Sequence, residues 1–121
     1  MPKKIRGNVK LINLHLKELP DILKDVSVSG HFDCTGNKLT SLTGAPSSVG
    51  GTFYCSLNKL TSLTGAPTSV GGNFNCSYNK LTSLVGAPKT VDGDFYCYDN
   101  SVQFTEAQVR AICDVKGNVY V

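Results

Sequence analysis

The sequence has no tryptophan, one methionine, little charge and no long apolar run. Crossing a bilayer takes roughly 18 or more consecutive apolar residues, so no membrane span is expected. The start, Met1-Pro2-Lys3-Lys4-Ile5-Arg6, carries charge but no apolar stretch behind it, which argues against a secretory signal. The 5 cysteines are odd in number, and none belongs to a Cys-x-x-Cys pair. Without an export signal, a reducing cytoplasm is the expected compartment. Charged residues make up only 17%, with 12 Lys or Arg against 9 Asp or Glu and a net charge of +3. A committed nucleic-acid binder shows a stronger bias. Phosphate-loop, metalloprotease and nucleophile-elbow motifs are all missing. His31 and Asp33 stand close, but without a nucleophile beside them they do not make a catalytic site. No catalytic residue, cofactor or metal is therefore expected.

What is present is a repeat. Segments of 21 residues begin at Val28, Val49 and Val70: VSGHFDCTGNKLTSLTGAPSS, VGGTFYCSLNKLTSLTGAPTS and VGGNFNCSYNKLTSLVGAPKT. A fourth copy starts at Val91 as VDGDFYCYDNSVQF and then diverges. Near-identity at a fixed period signals stacked supersecondary units. The frame returns in degenerate form at Ile5-Arg6-Gly7-Asn8-Val9-Lys10-Leu11 and at Val115-Lys116-Gly117-Asn118-Val119-Tyr120-Val121. Six strand units result, the outer two being caps, and terminal units of a solenoid are expected to be atypical. The chain reads as one domain over 1–121. It comprises a cap coil (5–27), regular repeats (28–48, 49–69, 70–90) and a C-terminal repeat with helix and cap strand (91–121).

Each unit alternates apolar or Gly with other residues, which is strand periodicity. Val28, Gly30, Phe32, Cys34 and their equivalents are the expected inward positions. Gly44-Ala45-Pro46 marks a bend returning the chain to the next strand. Phe32, Phe53, Phe74 and Phe95 all take one inward position, whereas no Tyr does. A ring without a polar group suits a stacked core, and a phenol suits a half-wet surface. In the last connection, Phe104 to Ile112 reads as a short helix with capping-box spacing between Thr105 and Gln108, and Val109, Ile112 and Cys113 facing the core. A second short helix is expected from Pro20.

The stretch Phe32-x-Cys34-x-x-Asn37-x-Leu39-x-x-Leu42 resembles the leucine-rich repeat, as does Leu14-x-Leu16-x-x-Leu19-Pro20-x-x-Leu23. The variant ending in Gly-Ala-Pro resembles small leucine-rich-repeat-like proteins carried by tailed bacteriophages and some bacteria. One departure is that Val28 precedes Phe32 by four residues rather than the usual three. The expected fold is a mainly β, right-handed repeat solenoid. It has a six-stranded parallel sheet roughly 25 Å wide at the usual strand spacing, an irregular convex side, one short C-terminal helix and degenerate caps. The resemblance implies a small non-enzymatic factor that binds a host or defence protein in the bacterial cytoplasm.

Several columns repeat at 21 residues. Asn37, Asn58, Asn79 and Asn100 suit an inward amide ladder that satisfies turn backbone. Cys34, Cys55, Cys76 and Cys97 suit packing, because a straight column does not converge on a metal. Lys38, Lys59 and Lys80 suit a solvated rim, the alternative being a patch for nucleic acid or an acidic surface. The outward positions vary while the inward ones do not. One column reads Lys10, Asp33, Tyr54, Asn75, Tyr96, Tyr120. A second reads Asn8, His31, Thr52, Asn73, Asp94, Asn118, and a third Thr35, Ser56, Ser77, Tyr98, with Tyr78 in the turn beyond. Tyrosine is a common interface anchor. Lys10, His31, Asp33, Tyr54, Asn75, Tyr78, Asp94, Tyr96, Tyr98 and Tyr120 are therefore the candidate contacts for a protein partner. The face is polar end to end, with Lys3, Lys4, Arg6 and Lys10 at the first coil and Asp92, Asp94 and Asp99 near the fifth. Self-association through the edge of the last strand is a further alternative.

Overall fold

The computed structural model describes residues 3–121. Met1 and Pro2, which open the basic N-terminal stretch, lie outside the described residues. The strands, numbered along the chain, are β1 (Lys3–Ile5), β2 (Val9–Lys10), β3 (Val26–Val28), β4 (Phe32–Asp33), β5 (Ser48–Val49), β6 (Phe53–Tyr54), β7 (Ser69–Val70), β8 (Phe74–Asn75), β9 (Thr90–Val91), β10 (Phe95–Tyr96), β11 (Asp114–Val115) and β12 (Val119–Tyr120). They form a β-solenoid of about six turns. Odd-numbered strands make one six-stranded parallel sheet and even-numbered strands make a second. Register holds at 21 residues through the regular coils, for example Phe32 opposite Phe53 and Phe53 opposite Phe74.

The second sheet arises because each strand unit is broken in the middle. Gly30 does not face the core as its place in the alternation suggested; it lies half-buried at a bend between Val28 and Phe32. The break follows from close stacking. A Cβ on Gly72 would stand 2.7 Å from Thr52 Oγ1 and 2.9 Å from the carbonyl carbon of Gly51. Only a residue without a side chain lets consecutive bends nest.

The core is a set of columns. Phe32, Phe53, Phe74 and Phe95 are fully enclosed, with ring centroids 5.2, 5.5 and 5.2 Å apart along the stack. Burying each ring contributes roughly 1.5–3 kcal/mol. Val28, Val49, Val70 and Val91 line one flank, and Cys34, Cys55, Cys76 and Cys97 the other. The thiols of Cys34, Cys55 and Cys76 donate to the carbonyls of Tyr54, Asn75 and Tyr96 in the following coils, at 3.3–3.4 Å. All 5 cysteines are free thiols. One apolar cluster runs from Leu19 to Val115.

The asparagine column forms the amide ladder. Asn58 Oδ1 accepts from the Leu39 N–H of the preceding coil at 3.0 Å, and its Nδ2 donates to the carbonyls of Cys34 (3.0 Å) and Cys55 (3.2 Å). Asn37, Asn79 and Asn100 do the same in their own coils. Beyond the ladder the chain turns at Gly44, Gly65 and Gly86, whose φ values are 94°, 93° and 89°. That left-handed conformation is nearly free for glycine.

The last connection forms α1 (Glu106–Ile112), with the capping box of Thr105 and Gln108 in place. Val109 and Cys113 are buried, but Ile112 is 42% exposed. Cys113, four residues on from Val109, takes the inward place, and the Ile112 side chain lines the surface grooves beside the helix. The helix expected from Pro20 is a single 3-10 turn, Asp21–Leu23, with Leu23 buried.

Candidate functional site

The column of Lys10, Asp33, Tyr54, Asn75, Tyr96 and Tyr120 is real: each residue pairs with the next across the second sheet. Alternation sets it facing away from the phenylalanines, which belong to the same strands. The side chains have different tasks. Asp33 Oδ1 accepts the Thr35 N–H at 3.0 Å and Asn75 Oδ1 the Ser77 N–H at 3.1 Å. Both fold back to brace their own turns. Tyr54 stands apart, its ring 6.3 Å from that of His31.

Four tyrosines do come together, at the C-terminal half of the face. Tyr96 and Tyr120 stack with centroids 4.7 Å apart and planes inclined by 11°. Tyr98 meets Tyr96 at 6.4 Å and Tyr78 at 5.5 Å, both edge to face. Tyr78 is 49% exposed and Tyr120 42%. Tyr78 sits at φ 58°, in the left-handed turn after its strand, and that turn swings its ring toward Tyr98. Desolvation, followed by the nearby Asp94 carboxylate and the neighbouring phenols, pushes the Tyr96 hydroxyl above its ordinary pKa. The result is an aromatic platform with carboxylates at its rim.

The second outward column is mostly committed to the scaffold. Asn8 Oδ1 accepts the N–H of His31, His31 Nδ1 that of Thr52, Thr52 Oγ1 that of Asn73, Asn73 Oδ1 that of Asp94, and Asp94 Oδ1 that of Asn118. These bonds span 2.7–3.1 Å. His31 and Asp94, candidate contacts by sequence, thus each spend an acceptor on the next coil. Thr52, expected to face outward, is buried, as are Ser56 and Ser77 in the third column. Ser77 Oγ accepts the Tyr98 N–H at 3.2 Å.

Leu57 was not among the candidate contacts, yet it is 56% exposed. It occupies the turn position taken by Tyr78 one coil later, with the same left-handed φ. The substitution series Gly36, Leu57, Tyr78, Asp99 carried the signal, since it varies directly before a constant asparagine. Lys38, Lys59 and Lys80 are all exposed, past the asparagine ladder.

Two shallow grooves, of about 420 and 330 Å³, lie along α1 and not at the tyrosines. Among the described residues no group of three His, Cys, Asp or Glu is placed to hold a metal ion, and no helix is long and apolar enough to cross a membrane. Comparison with protein-family models, characterised proteins and solved structures finds no match to this chain.

Proposed function

We propose that this chain is a non-enzymatic protein-binding module, and that Tyr78, Tyr96, Tyr98 and Tyr120 form the centre of its contact surface. The observation that carries the reading is the segregation of rings. The four repeat phenylalanines are fully enclosed, while these tyrosines touch one another at the surface. Clustered phenols give a large contact area at low entropic cost, with hydroxyls ready for a partner's polar groups. Tyr54, separated from the cluster by Asn75 in its column, and the exposed Leu57 add outlying contact points toward the N-terminal half. Carboxylates of Asp94 and Asp99 at the platform, against Lys10 at the opposite end, orient a partner of reversed polarity. The resemblance to phage-carried repeat proteins supports a host or defence protein as that partner, met in the bacterial cytoplasm.

The test is capture from a bacterial lysate with the wild type, with Tyr54, Tyr96 and Tyr120 all replaced by Ala, and with Lys38, Lys59 and Lys80 all replaced by Ala. The tyrosine variant should lose the captured partner while its circular-dichroism melt changes little, and the lysine variant should keep it. Retained capture by the tyrosine variant removes this face as the site. Loss with the lysine variant, together with steep weakening in salt, would favour nucleic acid or an acidic surface instead.

A further inference from the structure

In every coil before the last, two carbonyls of the first sheet and its bend are taken by the next coil. The Val28 and Gly30 carbonyls accept from the Gly50 and Gly51 N–H groups, both at 2.8 Å. The Val49 and Gly51 carbonyls accept from Gly71 and Gly72, at 2.8 and 2.9 Å. The Val91 and Gly93 carbonyls accept from Lys116 and Gly117, both at 2.9 Å. By the same pattern, the Val115 and Gly117 carbonyls are the two acceptors that a further coil would take. They are not free. Arg110 Nη1 donates to the Val115 carbonyl at 2.7 Å, and Nη2 donates to the Gly117 carbonyl at 2.8 Å. Arg110 Nε is held at 2.8 Å by Glu106 Oε2, one helical turn back, which fixes the plane of the guanidinium.

We propose that Arg110 is an end plug: its guanidinium imitates the two backbone donors of a further coil and keeps the first coil of a second copy from adding there. The occupant it excludes is specified by the register. The columns of the first sheet begin with Lys4 and Ile5 and finish with Asp114 and Val115. Those of the second begin with Val9 and Lys10 and finish with Val119 and Tyr120. Continuing each column into a second copy sets Lys4 opposite Asp114, Ile5 opposite Val115, Val9 opposite Val119 and Lys10 over the Tyr120 ring. Two of these pairs are apolar, one is oppositely charged and one sets a cation on an aromatic face. The Gly7 N–H, the counterpart of the Gly30 donor, is turned to Ser29 Oγ of its own next coil at 2.9 Å and must turn outward for the addition, but an unpaired parallel edge is still a template for another chain. A planar fork with fixed donors suits two carbonyls at once better than a point charge does.

The experiment is light scattering over a concentration series, with circular dichroism on each sample. The wild type should keep a monomer mass throughout. Arg110→Ala and Arg110→Met should fold, and their average mass should climb past that of a dimer as concentration rises. Adding Lys10→Pro, which deletes an N–H that points away from the neighbouring strand at the opposite end, should return them to monomers. A folded Arg110 variant that stays monomeric overturns the proposal. So does a wild type that already associates, or association that survives Lys10→Pro. If both substitutions unfold the chain, Arg110→Lys gives the same readout. Its ammonium replaces the two-pronged fork with a point charge, so a rising mass supports the plug and a constant monomer mass overturns it.

Discussion

His31 Nδ1 accepts the backbone N–H of Thr52 at 2.8 Å, across the gap between consecutive coils. The same place is held by Asn in the coil before, by Thr in the coil after, and then by Asn and Asp. Any short side chain with an acceptor at the right reach serves. His31→Asn should therefore leave stability nearly unchanged, whereas His31→Ala should cost about 1 kcal/mol, the usual net worth of one hydrogen bond. Urea midpoints of the two variants check this. Equal midpoints would mean that the imidazole contributes nothing at this joint.

The bends impose a stricter condition one residue earlier. A methyl group on Gly72 would press on Thr52 Oγ1 and the Gly51 backbone together. Thr52 can rotate, but the Gly51 carbonyl carbon belongs to the ladder and cannot. Gly72→Ala should destabilise by roughly 1–3 kcal/mol, the cost of overpacking, and pairing it with Thr52→Ala should recover only part of the loss. Full recovery in the double variant would show that the side chain, not the bend backbone, sets the limit.

Asn58 makes a third test, because it serves two coils at once. Asn58→Leu would strand the Leu39 N–H inside the stack and leave the Cys34 and Cys55 carbonyls with one asparagine donor each, from Asn37 and Asn79, in place of two. A buried orphan costs about 1–3 kcal/mol, and the carbonyls lose a donor besides, so a loss of about that size is expected in the urea midpoint. Asn58→Asp keeps the acceptor but turns both donor contacts into repulsions, so it should be no better. Either variant melting like the wild type would overturn the structural role of the ladder.

These joints also explain what the sequence revealed and what it hid. The period, the enclosed phenylalanines and the outward tyrosines were legible because stacking permits so little variation at Phe32, Phe53, Phe74 and Phe95. The bend was not, since glycine has no side chain to reveal which way it points. Val28, Gly30, Phe32 and Cys34 satisfy strand alternation whether or not the chain turns at Gly30. The ladder of His31, Thr52, Asn73 and Asp94 was misleading for a related reason. Chemically different residues can make one hydrogen bond, so their diversity resembled tailoring to a ligand. Leu57 was hidden because leucine is the residue of the buried columns in this repeat, and its type does not tell a turn that points outward from a core position.

The buried thiols give a prediction about pH. Burial pushes Cys97 and Cys113 from the ordinary 9.0 up to about 11, and Cys34, Cys55 and Cys76 higher still. A thiol is neutral when protonated, so the folded chain holds these protons after an unfolded one has released them. Their contribution is whole below about pH 9 and is lost as pH rises from there through the folded values. Each thiol that ionises only in the unfolded state removes about 1.4 kcal/mol per pH unit. The urea midpoint should stay level through neutral pH, then fall steeply above about pH 9. Replacing Cys55 and Cys76 by Ala should lower the starting stability but flatten that fall. In the native protein, iodoacetamide at mildly alkaline pH should leave the column unmodified, with full labelling only in denaturant. Rapid labelling of Cys55 or Cys76 without denaturant would mean that the stack opens readily, and the alkaline slope would then need another source.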